Sequence, residues 1–205
     1  MKFYYIYKAV RKIFFRIFSI WDKICARLIF WGNNVHHRGF ATTGVPYVSI
    51  AIGAKCIIGE KFCMNNGLKG APGGCNRRCT FYLTKDAELI IGDNVGISQT
   101  AFGCRKKITV GNNVMIGGGT CIYDSDYHAL KPELRTAGSG SDVFNIVAKD
   151  ITIEDNVFIG AFSIILKGVT IGKNSIVGAG SVVTKSIPPN QIWAGNPAKF
   201  IKDIF

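Results

Sequence analysis

The sequence is short of histidine, of paired cysteines and of acidic residues. Three histidines and seven cysteines occur in 205 residues. None of the cysteines forms a CxxC pair, and the histidines are not spaced with them as metal ligands, so we expect no metal site and reduced thiols. Only 13 acidic residues face 25 basic ones, which gives a net charge of +12. Because no nucleic-acid-reading motif accompanies this charge, we expect no nucleic-acid partner.

Long uncharged hydrophobic runs are also missing. A transmembrane span needs about 20 apolar residues, and charged residues interrupt every such window. Neither the uninterrupted core nor the cleavage site of a signal peptide occurs, so we expect a cytoplasmic protein. Charged residues make up 19% of the chain and aliphatic residues are plentiful, which argues against disorder.

What the chain does have is a six-residue repeat of β-branched aliphatic residues. Its members are Ile153, Ile159, Ile165, Ile171, Val177 and Val183. An α-helix repeats every 3.6 residues and a flat strand every two, so neither explains this spacing. A short fixed repeat is typical of a solenoid, whose units bury their apolar faces by stacking. Three flat sides of six residues predict a parallel β-helix with about 18 residues in each coil.

The same register places the β-helix at residues 48–189. It lapses in the glycine-rich stretch 65–78, which predicts an irregular coil there. After Ile122 the next aliphatic residue in register is Ile153, so residues 123–149 must leave the β-helix as a protruding loop. Long loops on a rigid repeat scaffold are often functional.

Asparagine recurs at one fixed place in four of the hexads. The pairs are Asp93-Asn94, Asn112-Asn113, Asp155-Asn156 and Lys173-Asn174. Because Asn tolerates left-handed backbone, these pairs predict tight corners of the β-helix and have no catalytic role in our interpretation.

Residues 1–31 predict a basic amphipathic helix, joined to the β-helix by a connector at residues 32–47. Its basic residues, spaced by four or seven, are Lys8, Lys12, Arg16, Lys23 and Arg27. Two interpretations fit: a peripheral anchor on the anionic inner membrane leaflet, or a helix that packs on the end of the β-helix or on a neighbouring subunit. Residues 190–205 predict a C-terminal cap that includes a short helix and covers the open edge.

The repeat, the string YDSDYH at residues 123–128 and the ending NPAK at residues 196–199 resemble the hexapeptide-repeat acyltransferases, and among them the enzymes that O-acetylate bacterial surface polysaccharides. The C-terminal half is similar to galactoside and maltose acetyltransferases. The resemblance implies a mainly β fold, a left-handed parallel β-helix assembled as a homotrimer. It also implies acetyl-CoA as the acyl donor and, as the acceptor, a carbohydrate hydroxyl of a polysaccharide or its precursor.

Catalysis is assigned by the resemblance to a histidine in the protruding loop, and His128 is the candidate because the other two histidines precede the repeats. Its imidazole would act as general base on the hydroxyl that attacks the thioester. Asp124 and Asp126 are near enough in sequence to orient the ring or to contact the acceptor. A covalent acyl-enzyme on Cys121 is the rival chemistry, but the thioester is already activated and direct attack suffices.

In the family, the pantetheine arm of the cofactor lies in a groove between two subunits. The matching positions here are Ala161, Ala179, Thr184, Lys185, Lys199 and Lys202. Small alanines would let the arm approach the backbone, and lysines would meet the phosphates as point charges. Arginine often stands at the last two positions, so phosphate contacts there would differ in this chain.

Three other functions fit parts of the pattern. One is an acetyltransferase that acts on an amino sugar or on serine. Another is a β-helical carbonic anhydrase, which needs three histidine ligands for zinc, whereas only His128 lies within the repeats. The third is a β-solenoid scaffold without catalytic activity, which a loss of acetyl transfer on replacing His128 would exclude.

Overall fold

In the computed structural model, which describes residues 3–70, 75–136 and 141–205, a long N-terminal helix precedes a β-helix. The helices are α1 (Phe3–Gly32), α2 (Gly67–Gly70), α3 (Pro132–Thr136) and α4 (Ser141–Phe144). The first two residues of the predicted N-terminal helix lie outside the described residues. No helix in the described ranges is apolar over a sufficient length to span a bilayer.

The strands, numbered in chain order, form three sheets that the chain visits in rotation. Sheet I contains β1 (Val35–His37), β4 (Lys55–Ile58), β7 (Glu88–Ile91), β10 (Lys107–Val110), β13 (Ile151–Ile153) and β16 (Thr170–Ile171). Sheet II contains β2 (Phe40–Thr43), β5 (Phe62–Asn65), β8 (Gly96–Ser98), β11 (Met115–Ile116), β14 (Phe158–Ile159), β17 (Ile176–Val177), β19 (Gln191–Ala194) and β20 (Lys199–Asp203). Sheet III contains β3 (Tyr47–Ile50), β6 (Thr80–Leu83), β9 (Ala101–Cys104), β12 (Cys121–Tyr123), β15 (Ile164–Leu166) and β18 (Val182–Val183). One strand from each sheet makes a coil, and the coils stack through parallel pairing.

The six-residue repeat forms the core of this β-helix. All six aliphatic residues between Ile153 and Val183 are buried. Successive coils stack them in register, with Ile153 on Ile171 and Ile159 on Val177. Each buried side chain of this size contributes about 1.5–3 kcal/mol relative to full exposure. The parallel β-helix predicted from the spacing is therefore confirmed.

Asparagine residues turn the chain at the corner between sheets I and II. Asn94, Asn113, Asn156, Asn174 and Asn190 have φ between 57° and 63°. Each of the first four donates its side-chain amide N–H to the side-chain oxygen of the next, over 2.7–3.1 Å. The predicted corners are confirmed, and the ladder ties successive coils together.

The β-helix begins earlier than predicted. Residues 32–47 are expected to be a connector, but β1 and β2 lie within them and pair with β4 and β5. Phe40 is buried, and its ring centroid lies 5.0 Å from that of Phe30 in α1. The core of the first coil packs on a helix and not on a preceding coil. Aromatic residues therefore replace the regularly spaced aliphatic residues from which the sequence predicts the other coils.

The predicted short C-terminal helix is wrong. The chain reverses near Gly195, whose φ is +104°, and β20 returns antiparallel to β19. Phe200 and Ile201 are residue types that favour strands. Their pairing extends sheet II and satisfies backbone groups that a helix would have left exposed along β19.

Helix α1 is attached to the β-helix by its C-terminal third. Ala26 and Phe30 are its buried residues in the described chain. The Gly44 N–H donates to Asp22 Oδ2 over 2.9 Å. Residues 3–21 are all exposed, so most of the helix surface remains uncovered.

Candidate active site

The protruding loop leaves sheet III after β12 and rejoins the β-helix at β13, at the corner between sheets III and I. Residues 137–140 within it lie outside the described residues. An antiparallel bridge joins Ser125 to Ala148, and the Lys149 N–H donates to the Asp124 carbonyl oxygen over 2.8 Å. The two ends of the loop are therefore fixed beside each other.

Asp124 anchors this loop to the coil below it. Its carboxylate accepts the backbone N–H groups of Arg105 and Lys106 over 2.8 and 2.7 Å, and the side chain is fully buried. Burial, together with the Asp124 charge, raises the pKa of the neighbouring Cys104 thiol. Asp124 therefore holds the backbone, and in this structure its carboxylate contacts the Arg105 and Lys106 N–H groups and not His128.

Asp126 has a different partner from the predicted one. One carboxylate oxygen forms an ion pair with Lys167 of the next coil, where both side chains are mostly buried. The other oxygen, Oδ2, is buried and has no hydrogen-bond partner among the described residues. Asp126 thus does not orient His128 in this structure.

The orienting carboxylate is Asp142, at the start of α4. His128 Nδ1 lies 2.6 Å from Asp142 Oδ2, and the Ala129 N–H donates to Asp142 Oδ1 over 2.6 Å. The Ala129 hydrogen bond and the pairing with His128 lower the pKa of Asp142, so it stays ionised. With its proton on Nδ1, His128 leaves Nε2 free to accept one.

Arg135 fixes the backbone that carries His128. Its guanidinium donates to the carbonyl oxygens of Ala129 and Leu130 over 3.0 and 2.8 Å. Sequence reasoning missed both Asp142 and Arg135, because their contacts depend on the path of the loop. The only signal was the presence of acidic and basic residues in that loop.

A cavity of about 190 Å³ opens beside His128 on the outer face of sheet III. Its lining includes Tyr82, Arg105, Tyr127 and Asp142. Gly103, which is also in the lining, faces outward, and a Cβ there would overlap the Tyr127 hydroxyl and lie 2.9 Å from Tyr123 Cδ1. The absence of a side chain at Gly103 therefore leaves the space that the Tyr127 hydroxyl occupies.

Tyr127 is held in an unusual backbone conformation next to His128. Its φ is +63°, and its ring centroid lies 5.3 Å from that of Tyr123 in an edge-on arrangement. Burial and the nearby Asp124 charge raise the pKa of Tyr127 to about 12, so its hydroxyl keeps its proton. The Tyr127 hydroxyl can therefore donate a hydrogen bond at neutral pH.

The predicted cofactor residues lie apart from this cavity. Thr184, Lys185 and Lys199 line a groove of about 320 Å³ near the β19–β20 hairpin, which shares no lining residue with the His128 cavity. Lys202 belongs to β20 and pairs opposite Ile192, outside the groove lining.

Ala161 and Ala179 occupy another place, the corner between sheets II and III. They follow the paired strands β14 and β17 and so stack in adjacent coils. A Cβ on the neighbouring Gly160 would lie 2.7 Å from Ala179 Cα, so the backbones are tightly packed there. Within one chain, three of the six predicted cofactor residues share a groove, and none of the six lines the His128 cavity.

The six-residue repeat is the part of the chain that matches a known family model. Residues 150–185 match the family model described as bacterial transferase hexapeptide (six repeats). This stretch of 36 residues therefore carries the hexapeptide repeat that the family model describes. The fold of the chain is the left-handed parallel β-helix found in the solved acyltransferases below. No curated protein sequence matches the chain.

Three solved structures show how far the likeness extends. A hexapeptide-repeat acetyltransferase from Vibrio cholerae is 35% identical, with a TM-score of 0.52, over 57% of this chain and 63% of that one. A galactoside acetyltransferase in complex with coenzyme A is 30% identical, with a TM-score of 0.52, over 83% and 64%. The N-acyltransferase AntD from Bacillus cereus, in complex with dTDP and 3-hydroxybutyryl-CoA, is 20% identical, with a TM-score of 0.65, over 86% of each chain, and shows the fold alone. The chain thus spans less than two thirds of the length of the first two.

Proposed function

We propose that this protein is an O-acetyltransferase that moves the acetyl group of acetyl-CoA to a sugar hydroxyl of a bacterial surface polysaccharide or its precursor. The observation that carries the proposal is the His128–Asp142 pair, 2.6 Å apart, at a cavity beside a hexapeptide β-helix. Solved relatives with 30–35% identity are acetyltransferases, one of them bound to coenzyme A.

The reaction would proceed by direct transfer. Nε2 of His128 takes the proton of the acceptor hydroxyl while that oxygen attacks the thioester carbonyl carbon. The Asp142 carboxylate accepts a hydrogen bond from the Nδ1–H group and stabilises the imidazolium that forms. When the carbon–sulfur bond breaks, the proton passes from Nε2 to the CoA sulfur. Cys121 is not part of the cavity lining, which favours direct transfer over an acyl-enzyme.

The donor would occupy the groove lined by Thr184, Lys185 and Lys199. The two lysines are exposed and supply positive charge for the CoA phosphates. Ala161 and Ala179 remain proposed contacts of the pantetheine arm, because the arm needs small side chains to approach the backbone. Lys202, outside the groove lining, would reach the phosphates from β20.

In a homotrimer, the His128 cavity of one subunit would lie next to the groove with Lys185 and Lys199 of a neighbouring subunit. At 190 Å³ the His128 cavity is smaller than the roughly 300–1,000 Å³ of usual ligand pockets. The outer face of sheet I carries an ionic ladder in which Glu88 pairs with Lys55 and Lys107 over 2.9 and 2.7 Å. The outer face of sheet II instead exposes Met115 and Phe158 in register. Because the outer face of sheet II is apolar and that of sheet I is charged, we expect a ring of subunits in which sheet I faces solvent.

Oligomer mass tests the assembly. Phe158→Glu should reduce the mass of the particle measured by light scattering, because it places a charge on the apolar face. Thr109→Glu, on the outer face of sheet I, is the matched control and should leave the mass unchanged. A wild-type mass equal to that of one chain would contradict the trimer.

The catalytic proposal is tested by acetyl transfer to a panel of neutral, acidic and amino sugars. We expect His128→Ala to lower kcat by about 10²–10⁴-fold, the usual contribution of a general base. His36→Ala, which removes an exposed histidine of β1, is the control and should retain the rate. Release of the acetyl group by mild alkali identifies an ester and separates O-acetylation from N-acetylation. A near-wild-type rate for His128→Ala would sink the assignment.

We also propose that α1 anchors the protein peripherally on the cytoplasmic leaflet of the inner membrane. At 100° per residue, one side of the helix carries exposed aliphatic residues along its whole length. They include Ile6, Ile13, Ile17, Ile24 and Leu28. This stripe suits the acyl boundary of a bilayer.

The attachment of α1 supports that orientation. Asp22, Ala26 and Phe30, which contact the β-helix, lie on the side of α1 opposite the aliphatic stripe. By the same geometry Arg16 lies about 80° from the stripe and would face anionic headgroups. The β-helix would then sit on the cytoplasmic side of the membrane-bound helix.

Vesicle sedimentation tests the anchor. Wild type should pellet with phosphatidylglycerol vesicles and less with phosphatidylcholine ones. Ile17→Glu should abolish binding, whereas Ser19→Glu, which adds the same charge on the polar side, should retain most of it. If neither lipid retains the wild type, α1 packs on protein and the anchor is wrong.

A further inference from the structure

Three consecutive basic residues, Arg105, Lys106 and Lys107, run from the end of β9 to the first residue of β10, directly below the protruding loop. Lys106 pairs with Asp150 over 2.8 Å, and Lys107 pairs with Glu88 over 2.7 Å. Both lysines therefore have their charge balanced on the outside of sheet I. Arg105 differs from them in where its side chain lies.

Arg105 is partly buried and lines the His128 cavity. Its backbone N–H donates a hydrogen bond to Asp124 Oδ1, which fixes the backbone at this residue. In the ranges that the structure describes, no carboxylate forms an ion pair with the Arg105 guanidinium. A guanidinium withdrawn from bulk water without a partner carries a desolvation cost that an anionic ligand would offset.

The rest of the cavity wall does not supply the missing negative charge. Tyr82 and Tyr127 are neutral donors, and Ser125 is uncharged. The carboxylate in the lining, Asp142, already accepts from His128 and from the Ala129 N–H. The pocket therefore presents, beside the general base, a guanidinium that forms no ion pair with the described residues.

We propose that the acceptor is an acidic sugar, whose carboxylate or phosphate binds the Arg105 guanidinium while the adjacent hydroxyl meets His128. This deepens the proposed function and rests on it. The planar fork of arginine matches either group through two parallel hydrogen bonds, which a neutral glycoside cannot provide. Arg105 is thereby a specificity-determining residue.

Direct binding to the full-length protein tests this without any acetyl transfer. Calorimetric titration with methyl glucoside, methyl glucuronide and glucose 6-phosphate compares a neutral sugar, a carboxylate and a phosphate. We expect at least one acidic sugar to bind wild type about 10-fold or more tighter than the neutral one, the range of a charged hydrogen bond. Which acidic sugar binds best distinguishes a uronic acid from a sugar phosphate as the acceptor.

Variants locate the effect. Arg105→Gln should abolish the preference, and Arg105→Lys should restore part of it. Lys106→Gln, an adjacent and identical change of charge, should keep the full preference because its ammonium is paired elsewhere. Equal affinity of wild type for neutral and acidic sugars, or equal losses in the two glutamine variants, overturns the proposal.

The same titration on His128→Ala separates this inference from the proposed function. That variant should keep the preference for acidic sugars although it cannot transfer acetyl groups. Active transfer with no acidic preference refutes Arg105 alone, whereas retained preference with no transfer by wild type refutes the catalytic assignment alone.

Discussion

Replacing Asp142 with asparagine tests how His128 is held. The change keeps the size of the side chain but replaces one carboxylate oxygen with an amide. Asp142 accepts the Ala129 N–H at Oδ1 and faces His128 Nδ1 at Oδ2. An asparagine that keeps its oxygen on the Ala129 N–H must turn its NH₂ group toward Nδ1. That arrangement favours the tautomer with the proton on Nε2, which cannot act as base toward the cavity.

The expected loss is in kcat and not in the binding of acetyl-CoA. A general base contributes about 10²–10⁴-fold, and loss of the orienting carboxylate with the wrong tautomer costs up to about 10⁴ in the serine-protease triad. Because the cavity is more open here, with the His128 side chain 70% exposed, we expect about 10²–10³-fold. His128→Ala should fall in the same range, and the double variant should be little worse than either, since the two residues act as one unit.

Release of the CoA thiol at saturating donor and acceptor measures this kcat. Glu133→Gln is the matched control, because it removes an exposed carboxylate from α3 in the same loop. Circular dichroism and the melting temperature check that each variant is folded. A folded Asp142→Asn variant with kcat within threefold of wild type would refute the orienting role.

Three further predictions concern the scaffold of the site. Gly103→Ala should lower stability by about 1–3 kcal/mol through overpacking against Tyr127, and Tyr127→Phe in the same chain should recover part of it in urea titrations. Asn113→Ala should destabilise more than Asn113→Gly, since glycine loses the ladder hydrogen bonds but keeps the φ of 57° unstrained. Hydrogen bonds from Lys107 and Lys55 lower the pKa of Glu88, so its stabilisation is present above the ordinary carboxyl pKa and lost as pH falls through the lowered one. The melting-temperature gap between wild type and Glu88→Gln should therefore be small at pH 7 and vanish in acid, and a constant gap would contradict it.

The sequence predicts the repeating part of the fold because its signals are local. Ile159 and Val177 occupy equivalent strand positions in successive coils, and each is followed directly by a glycine. Asn113 marks a left-handed corner by its own conformational preference. The first coil and the final hairpin escape this reasoning because their partners are an α-helix and a single edge strand, so neither repeats the pattern.

The candidate site likewise contains one residue that the sequence identifies and a partner that it does not. His128 is identified by its place in the loop, but its partner Asp142 is 14 residues away and is brought close only by the folded path of that loop. Asp124 and Asp126, nearer in sequence, are taken up by backbone N–H groups and by Lys167. Short sequence separation therefore favours the wrong carboxylates, because a turn places neighbouring side chains on different sides.

The imbalance between 25 basic and 13 acidic residues is also distributed unevenly on the structure. On sheet I, Lys55 and Lys107 share Glu88, so charge there is largely compensated. Cations without an ion pair in the described part of the chain include Lys12 and Arg16 of α1, Arg105 in the His128 cavity, and Lys185 and Lys199 in the groove. Lipid headgroups, acidic sugars and CoA phosphates are all anions, so one composition bias would serve three contacts.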